Sequence, residues 1–318
     1  MRAIQGPATS GRHVYETEQL TLDELSNLKK ITRNAAAPEV TVADPASAAV
    51  LEPVSFNEPV LVGGSERLRL HRQFVSAFLP ARRDVVFALP PDYFDSRRRY
   101  PVLYLQDGQN LFDGSTSFIK GSFWDVQATS DRLIEQGVTE PLILVGIYNT
   151  GIARMEEYTP MPDRTLGGGK GSLYGRLLVE ELKPWVERTY RTLDGPEHTG
   201  VGGSSLGGLI SLYLGLTWPH VFGRLAVLSP SVWWARGGML PYVRRTRPEP
   251  RPRIWLDIGL SEGPNMIRKC DELHRLLERR GWRDGVDIEY LRAPGGRHNE
   301  DAWAKRVDPF LRFLFPAK

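Results

Sequence analysis

Cysteine is nearly missing: of 318 residues only Cys270 is one. A single thiol excludes an internal disulfide and is compatible with a reducing compartment. Cys270 lies in a helical pattern and reads as a packed or half-exposed helix residue. Excess charge is small as well. A formal net charge of +3 with no dense Lys/Arg block excludes the usual electrostatic footprint of a nucleic-acid or membrane-surface protein. The one basic concentration, Arg236 to Arg253, is interleaved with Pro and Gly and reads as a solvated loop. No apolar run is long enough to span a bilayer and no apolar signal core follows the first residues, so a cytoplasmic location is expected. The glycine-rich segment after residue 200 has neither the G-x-G-x-x-G register nor a Gly-Lys-Ser/Thr ending, which removes dinucleotide and P-loop phosphate binding.

What is present is apolar material in quantity. Hydrophobic residues make up 41% of the chain and include eight tryptophans, enough to bury a large core. Residues 1–59 read as a partly disordered extension. It holds one short amphipathic helix, opened by the capping box Thr21-Leu22-Asp23-Glu24 and running through Leu28, then an Ala/Pro-rich stretch. The period then changes. Leu68–Phe74 and Arg83–Leu89 alternate and predict two antiparallel strands joined by a turn near Pro80. Tyr100–Gln106 and Leu142–Tyr148 are continuous apolar runs, as strands covered on both faces require, with a crossover helix between Phe123 and Gln136. Leu173–Tyr190 carries a helical stripe of Leu177, Leu178, Leu182, Trp185 and Val186. Strands over 224–228, 254–258 and 287–291 alternate with helices over 206–217, 265–280 and 301–315. This order predicts an α/β fold for residues 60–318: one domain, a mostly parallel central sheet flanked by helices, with antiparallel strands at its start.

The stretch that organises this pattern is Gly203-Ser204-Ser205-Leu206-Gly207, a G-x-S-x-G pentapeptide between a short strand and an apolar helix. In a nucleophile elbow the strand enters the helix through a strained turn, and the central serine projects clear of the sheet. Gly203 and Gly207 make room across the turn, and Gly208 lets the helix approach the strand. Plain turns also contain such clusters, so the pentapeptide needs partners.

A serine hydroxyl needs a base, and the base needs an orienting acid. His298 sits in a glycine-rich loop after the last strand, at the edge where the loops following parallel strands gather. His71, His198, His220 and His274 fall in strands or beside helices and read as structural. For the acid, Glu262 follows the penultimate strand and completes the order serine, acid, histidine. Asp257 is its rival, although strand alternation gives Asp257 an inward position that needs another partner. A solvated loop charge is the bland reading of Glu262. The oxyanion donors expected are the backbone N–H groups of Leu206, just after the serine, and of Gln109, in the Asp107-Gly108-Gln109-Asn110 turn.

Taken with Tyr100–Leu105, Asn110-Leu111-Phe112, Asn149, Arg154, Glu157-Tyr158, Glu180–Pro184, Gly202–Gly208 and Ser229–Trp234, these residues resemble an esterase family of α/β-hydrolases. The family includes enterochelin esterases, esterase D and feruloyl esterase domains, and the likeness covers residues 70 to 316. It implies the α/β-hydrolase fold and a triad falling on Ser205, Glu262 and His298. One departure is that many relatives carry Asp at the acid position. Enterochelin esterase relatives bind large catecholate scaffolds through basic and aromatic residues, which implies Arg154, Trp233, Trp234 and the 236–253 loop as substrate-binding positions. The alternative for the two tryptophans is packing beneath a cap loop.

The reading is therefore a serine esterase acting on a small-molecule ester, with no cofactor, no metal, no nucleic acid and no membrane partner. Acyl transfer on the same scaffold, and a non-catalytic ligand-binding module, are the alternatives. Asp107, Asp113 and Asp125 are not spaced as a metal cluster. The motifs say nothing about the acyl and alcohol parts of the substrate or about oligomeric state.

Overall fold

The computed structural model describes residues 59–317. The helix expected from Thr21 and the rest of the extension, Pro59 apart, lie outside the described residues. Nine strands form one sheet in the order β1-β2-β3-β5-β4-β6-β7-β8-β9. They are β1 (Val60–Leu61), β2 (Leu68–Phe74), β3 (Arg83–Ala88), β4 (Val102–Gln106), β5 (Ile143–Ile147), β6 (Thr199–Ser204), β7 (Arg224–Leu228), β8 (Arg253–Gly259) and β9 (Ile288–Ala293). The first three pair antiparallel, and β3 joins antiparallel to β5. From β5 through β4, β6, β7 and β8 to β9 every pairing is parallel.

Side-chain alternation divides the core into two layers. Val102 and Tyr104 of β4, with Ile254, Leu256 and Ile258 of β8, face one layer; Leu103, Leu105 and Trp255 face the other. The first layer is closed by α2 (Gly171–Arg176), a π-helical stretch Leu177–Leu182, α3 (Lys183–Thr189), α4 (Leu206–Thr217), α5 (Met239–Arg245) and α6 (Pro264–Arg279). The second is closed by α1 (Val126–Glu135) and α7 (Glu300–Leu314). A continuous apolar run with both faces covered is what β4 and β5 displayed in sequence.

Two local expectations change. Leu173–Tyr190 reads as one α-helix but widens into a π-helix over Leu177–Leu182, just before Pro184, which has no N–H to continue the ladder. The 236–253 segment is not one solvated loop. Met239, Leu240 and Val243 are buried on α5, a stripe too short to stand out beside Arg244 and Arg245, which follow it.

α4 follows the turn at Ser205 and is buried nearly all round, so its apolar residues have no polar face. It lies so close to the sheet that a Cβ on Gly208 would come within 2.8 Å of the Leu228 carbonyl oxygen. Gly208→Ala sets a helix-propensity gain of about 1 kcal/mol against overpacking of about 1–3 kcal/mol. The expected outcome is a lower urea midpoint with an unchanged slope. A midpoint at or above wild type would show that helix and strand separate without cost.

Candidate active site

Ser205 stands between β6 and α4 with φ 58° and ψ −121°, a conformation that side chains other than glycine rarely adopt. Such strain costs about 1–3 kcal/mol and persists only where neighbours over-determine it. Here the Ser205 N–H donates to the Leu228 carbonyl (3.1 Å), and the Ser205 carbonyl accepts from Leu209 (3.0 Å) and Ser231 (3.0 Å). The hydroxyl is held in turn. Ser205 Oγ lies 2.9 Å from His298 Nε2 and 3.3 Å from Ser231 Oγ.

His298 sits on the loop between β9 and α7, with its side chain 33% exposed, so the imidazole is open to solvent. Its ring packs edge-on against Trp303, centroids 4.9 Å apart. Its Nδ1 lies 2.9 Å from Glu262 Oε2. Glu262 follows β8 and its carboxylate is sealed from solvent, so it is no solvated loop charge. The other oxygen, Oε1, accepts from Ser229 Oγ (2.6 Å), the Gly259 N–H (2.8 Å) and Arg306 Nη2 (3.3 Å). A Cβ on Gly259 would sit 2.5 Å from that oxygen, so glycine is required for the acid to fold back on its own strand end. Burial pushes the carboxyl up, but the hydrogen bond and charge of His298, with Ser229 and Arg306, bring it below its ordinary value.

Asp257 does not reach His298. Its position on β8 shares the face of Trp255, toward α7, and its carboxylate accepts from Trp255 Nε1 (2.9 Å), the Ser229 N–H (3.1 Å) and Arg306 Nη1 (2.5 Å). Burial raises its carboxyl above the ordinary range against the lowering effect of Arg306.

The remaining expected positions divide. Leu206 opens α4, where the first N–H groups have no preceding helical carbonyl and the helix dipole is positive. Gln109 lies in the helical turn Gly108–Asn110 after β4, entered through Asp107 at φ 57°. Arg154 does not present a free guanidinium. Its Nε and Nη2 donate to Asp107 Oδ1 (2.7 Å) and Oδ2 (2.8 Å), a bidentate pair that also receives Asn149 Nδ2 at 2.7 Å. Burial disfavours its charge, and Asp107 more than offsets this and raises its pKa. It therefore braces the turn that carries Gln109. Trp234 is also corrected: it is 2% exposed and donates Nε1 to the Met161 carbonyl (2.8 Å), so it belongs to the core. Trp233 beside it is half-buried.

Sequence reading gave no role in the site to Ser229, Ser231, Trp303 or Arg306. Arg306 left a signal. The buried face of α7 runs Trp303, Val307, Phe310, Leu311 and Leu314, and Arg306 falls inside that stripe. A charge on an apolar face calls for a buried partner.

Among the exposed large apolar side chains, Phe118 (79%), Ile152 (70%) and Leu260 (39%) lie on the segments that follow β4, β5 and β8. A cavity of about 560 Å³ beside Phe112 and Phe123 is lined by none of Ser205, Glu262 or His298. Among the described residues no three His, Cys, Asp or Glu side chains cluster as a metal would need, and no helix is long and apolar enough to cross a membrane.

A mostly parallel sheet, helices on both faces and a strained serine at a strand-to-helix turn define the chain as an α/β-hydrolase. Residues 76–314 match the family model described as "Putative esterase", and the chain belongs to that family and to the carboxylic-ester hydrolases. It is 30% identical over 223 residues to the ferri-bacillibactin esterase BesA of Bacillus subtilis (strain 168), covering 63% of this chain and 73% of that one. It is 29% identical over 243 residues to YbbA of the same organism, covering 71% and 90%. Among solved structures, the BES protein of Bacillus cereus superposes with a TM-score of 0.63 at 20% identity, covering 89% of this chain and 99% of that one. The Shigella flexneri enterobactin esterase FES superposes with a TM-score of 0.64 at 22% identity, covering 80% of this chain and 60% of that one.

Because Glu262 is held below its ordinary value of 4.5, its ionised form contributes stability in full above that pH. The contribution is lost as pH falls through the lowered value. The difference in unfolding free energy between wild type and Glu262→Gln is therefore expected to be constant near neutrality and to shrink below about pH 4. A difference that grows on acidification, followed by denaturant titration, would contradict a stabilised carboxylate.

Proposed function

We propose that this protein hydrolyses carboxylic esters through an acyl-enzyme on Ser205, with His298 as general base and then acid, and Glu262 as its orienting carboxylate. The observation that carries this reading is the chain of two 2.9 Å hydrogen bonds from Ser205 Oγ through the His298 ring to Glu262 Oε2. Attack on the ester carbonyl transfers the Ser205 proton to His298 Nε2, and Glu262 stabilises the imidazolium that forms. The carbonyl oxygen becomes an oxyanion received by the N–H groups of Leu206 and Gln109. Collapse expels the alcohol with the proton from His298, and water activated by the same imidazole releases the acid. No step needs a cofactor.

The relatives named as ferri-bacillibactin and enterobactin esterases make siderophore esters the first natural substrates to try. The exposed Phe118, Ile152 and Leu260 support a substrate that brings apolar or aromatic groups to the rim, with Trp233 nearby on its loop.

The test is turnover of a short-chain p-nitrophenyl ester with fluorophosphonate labelling of the same samples. Ser205→Ala is expected to abolish labelling and, like His298→Ala, to lower kcat by about 10³-fold or more. Folded wild-type protein that neither turns over nor labels would refute the reading. Phe118→Ala is expected to lower kcat/KM several-fold for an aromatic ester while sparing the acetate ester. Equal losses on both would remove Phe118 from substrate recognition.

A further inference from the structure

Behind Glu262 lies a closed ion network. Arg306 uses every nitrogen of its guanidinium: Nη1 donates to Asp257 Oδ1 (2.5 Å) and Ser229 Oγ (2.9 Å), Nη2 to Glu262 Oε1 (3.3 Å) and the Arg297 carbonyl (3.3 Å), and Nε to the Ala302 carbonyl (3.1 Å). The Arg306 side chain is 3% exposed and both carboxylates are 0% exposed, so water screens none of these charges. Trp303, one turn earlier on α7, donates to the same Ser229 hydroxyl at 3.1 Å. One helix thus grips the acid from behind and, through the Arg297 carbonyl, the loop that carries His298.

We infer that Arg306 and Asp257 are paired positioning residues of this site: the guanidinium locks Glu262 so that Oε2 faces His298, and Asp257 sets how much of that positive charge Glu262 feels. The inference rests on the proposed roles of Ser205, His298 and Glu262. With three donors on Oε1, the carboxylate cannot rotate without breaking all three. Asp257 matters through charge. Two carboxylates and one guanidinium carry one net negative charge, which a proton on His298 cancels. Asp257→Asn neutralises the cluster beforehand and disfavours that proton. Arg306→Met leaves two uncompensated carboxylates and favours it.

Other charged or titratable groups face the cluster. Glu300 lies on α7, with Asp107 and Arg154 acting on it from the β4 and β5 loops; Arg297 adjoins His298, and Cys270 packs behind β8 from α6. Neither substitution alters these, so the signs stand.

The experiment follows the acid limb of kcat/KM for p-nitrophenyl acetate and, independently, the His298 imidazole resonance against pH, assigned by its loss in His298→Gln. Asp257→Asn is expected to move both midpoints down by about half a pH unit or more, and Arg306→Met to move both up by a similar amount. Arg306→Lys keeps the charge but not the fork. It is expected to hold the midpoint near wild type while kcat falls several-fold. If Arg306→Met does not fold, Asp257→Asn and Arg306→Lys still decide. Midpoints that stay put in Asp257→Asn, or that move upward there, overturn the inference and leave the hydrolase reading intact. If no ester is turned over but the His298 resonance shifts as described, the hydrolase reading falls and the electrostatic pairing stands.

Discussion

The backbone at Ser205 is bent against its own preference, and the site is arranged around holding it there. A positive φ at a residue with a side chain is maintained only because Leu228, Leu209 and Ser231 engage both of its backbone polar groups. The parallel register then does the assembly. Ser204 pairs with Leu228, and Leu228 with Asp257, so the strand ends of β6, β7 and β8 fall side by side. Serine, the Ser229 hydroxyl and the loop bearing Glu262 emerge at one edge because the strands end there together.

Sealing the acid from water has a cost that the structure meets with a second pair of charges. A carboxylate removed from solvent is unfavourable unless fully hydrogen-bonded and opposed by a cation. Glu262 has both, and Asp257 gives the buried Arg306 guanidinium a second carboxylate, at Nη1, opposite the one that Nη2 meets. The longer glutamate suits this arrangement. It turns back over Gly259 to its own strand end, where a Cβ would collide with it.

A similar division of labour appears on the opposite side of Ser205. Asp107 starts the turn that carries Gln109 and is gripped by Arg154 and Asn149 from the β5 loop. Charged side chains that look available in a sequence are here spent on backbone placement.

Much of this could be read before any coordinates. Strand and helix order, the parallel sheet and the apolar helix after Gly208 follow from periodicities of two and 3.6, which short-range sterics impose on any buried strand or helix. The elbow turn was legible because it needs small residues at fixed offsets, and the placing of His298 and Glu262 near Ser205 because loops after parallel strands share an edge. Side-chain partnership was not legible. Whether Arg154 meets substrate or Asp107, whether Trp234 lines a pocket or fills the core, and whether Asp257 or Glu262 reaches His298 depend on contacts between residues 36 to 73 positions apart. The sequence by itself determined which backbone elements form and at which edge of the sheet the candidate site residues emerge. Only the tertiary structure decided which charges pair, because ion pairing depends on distances and burial that no local period encodes.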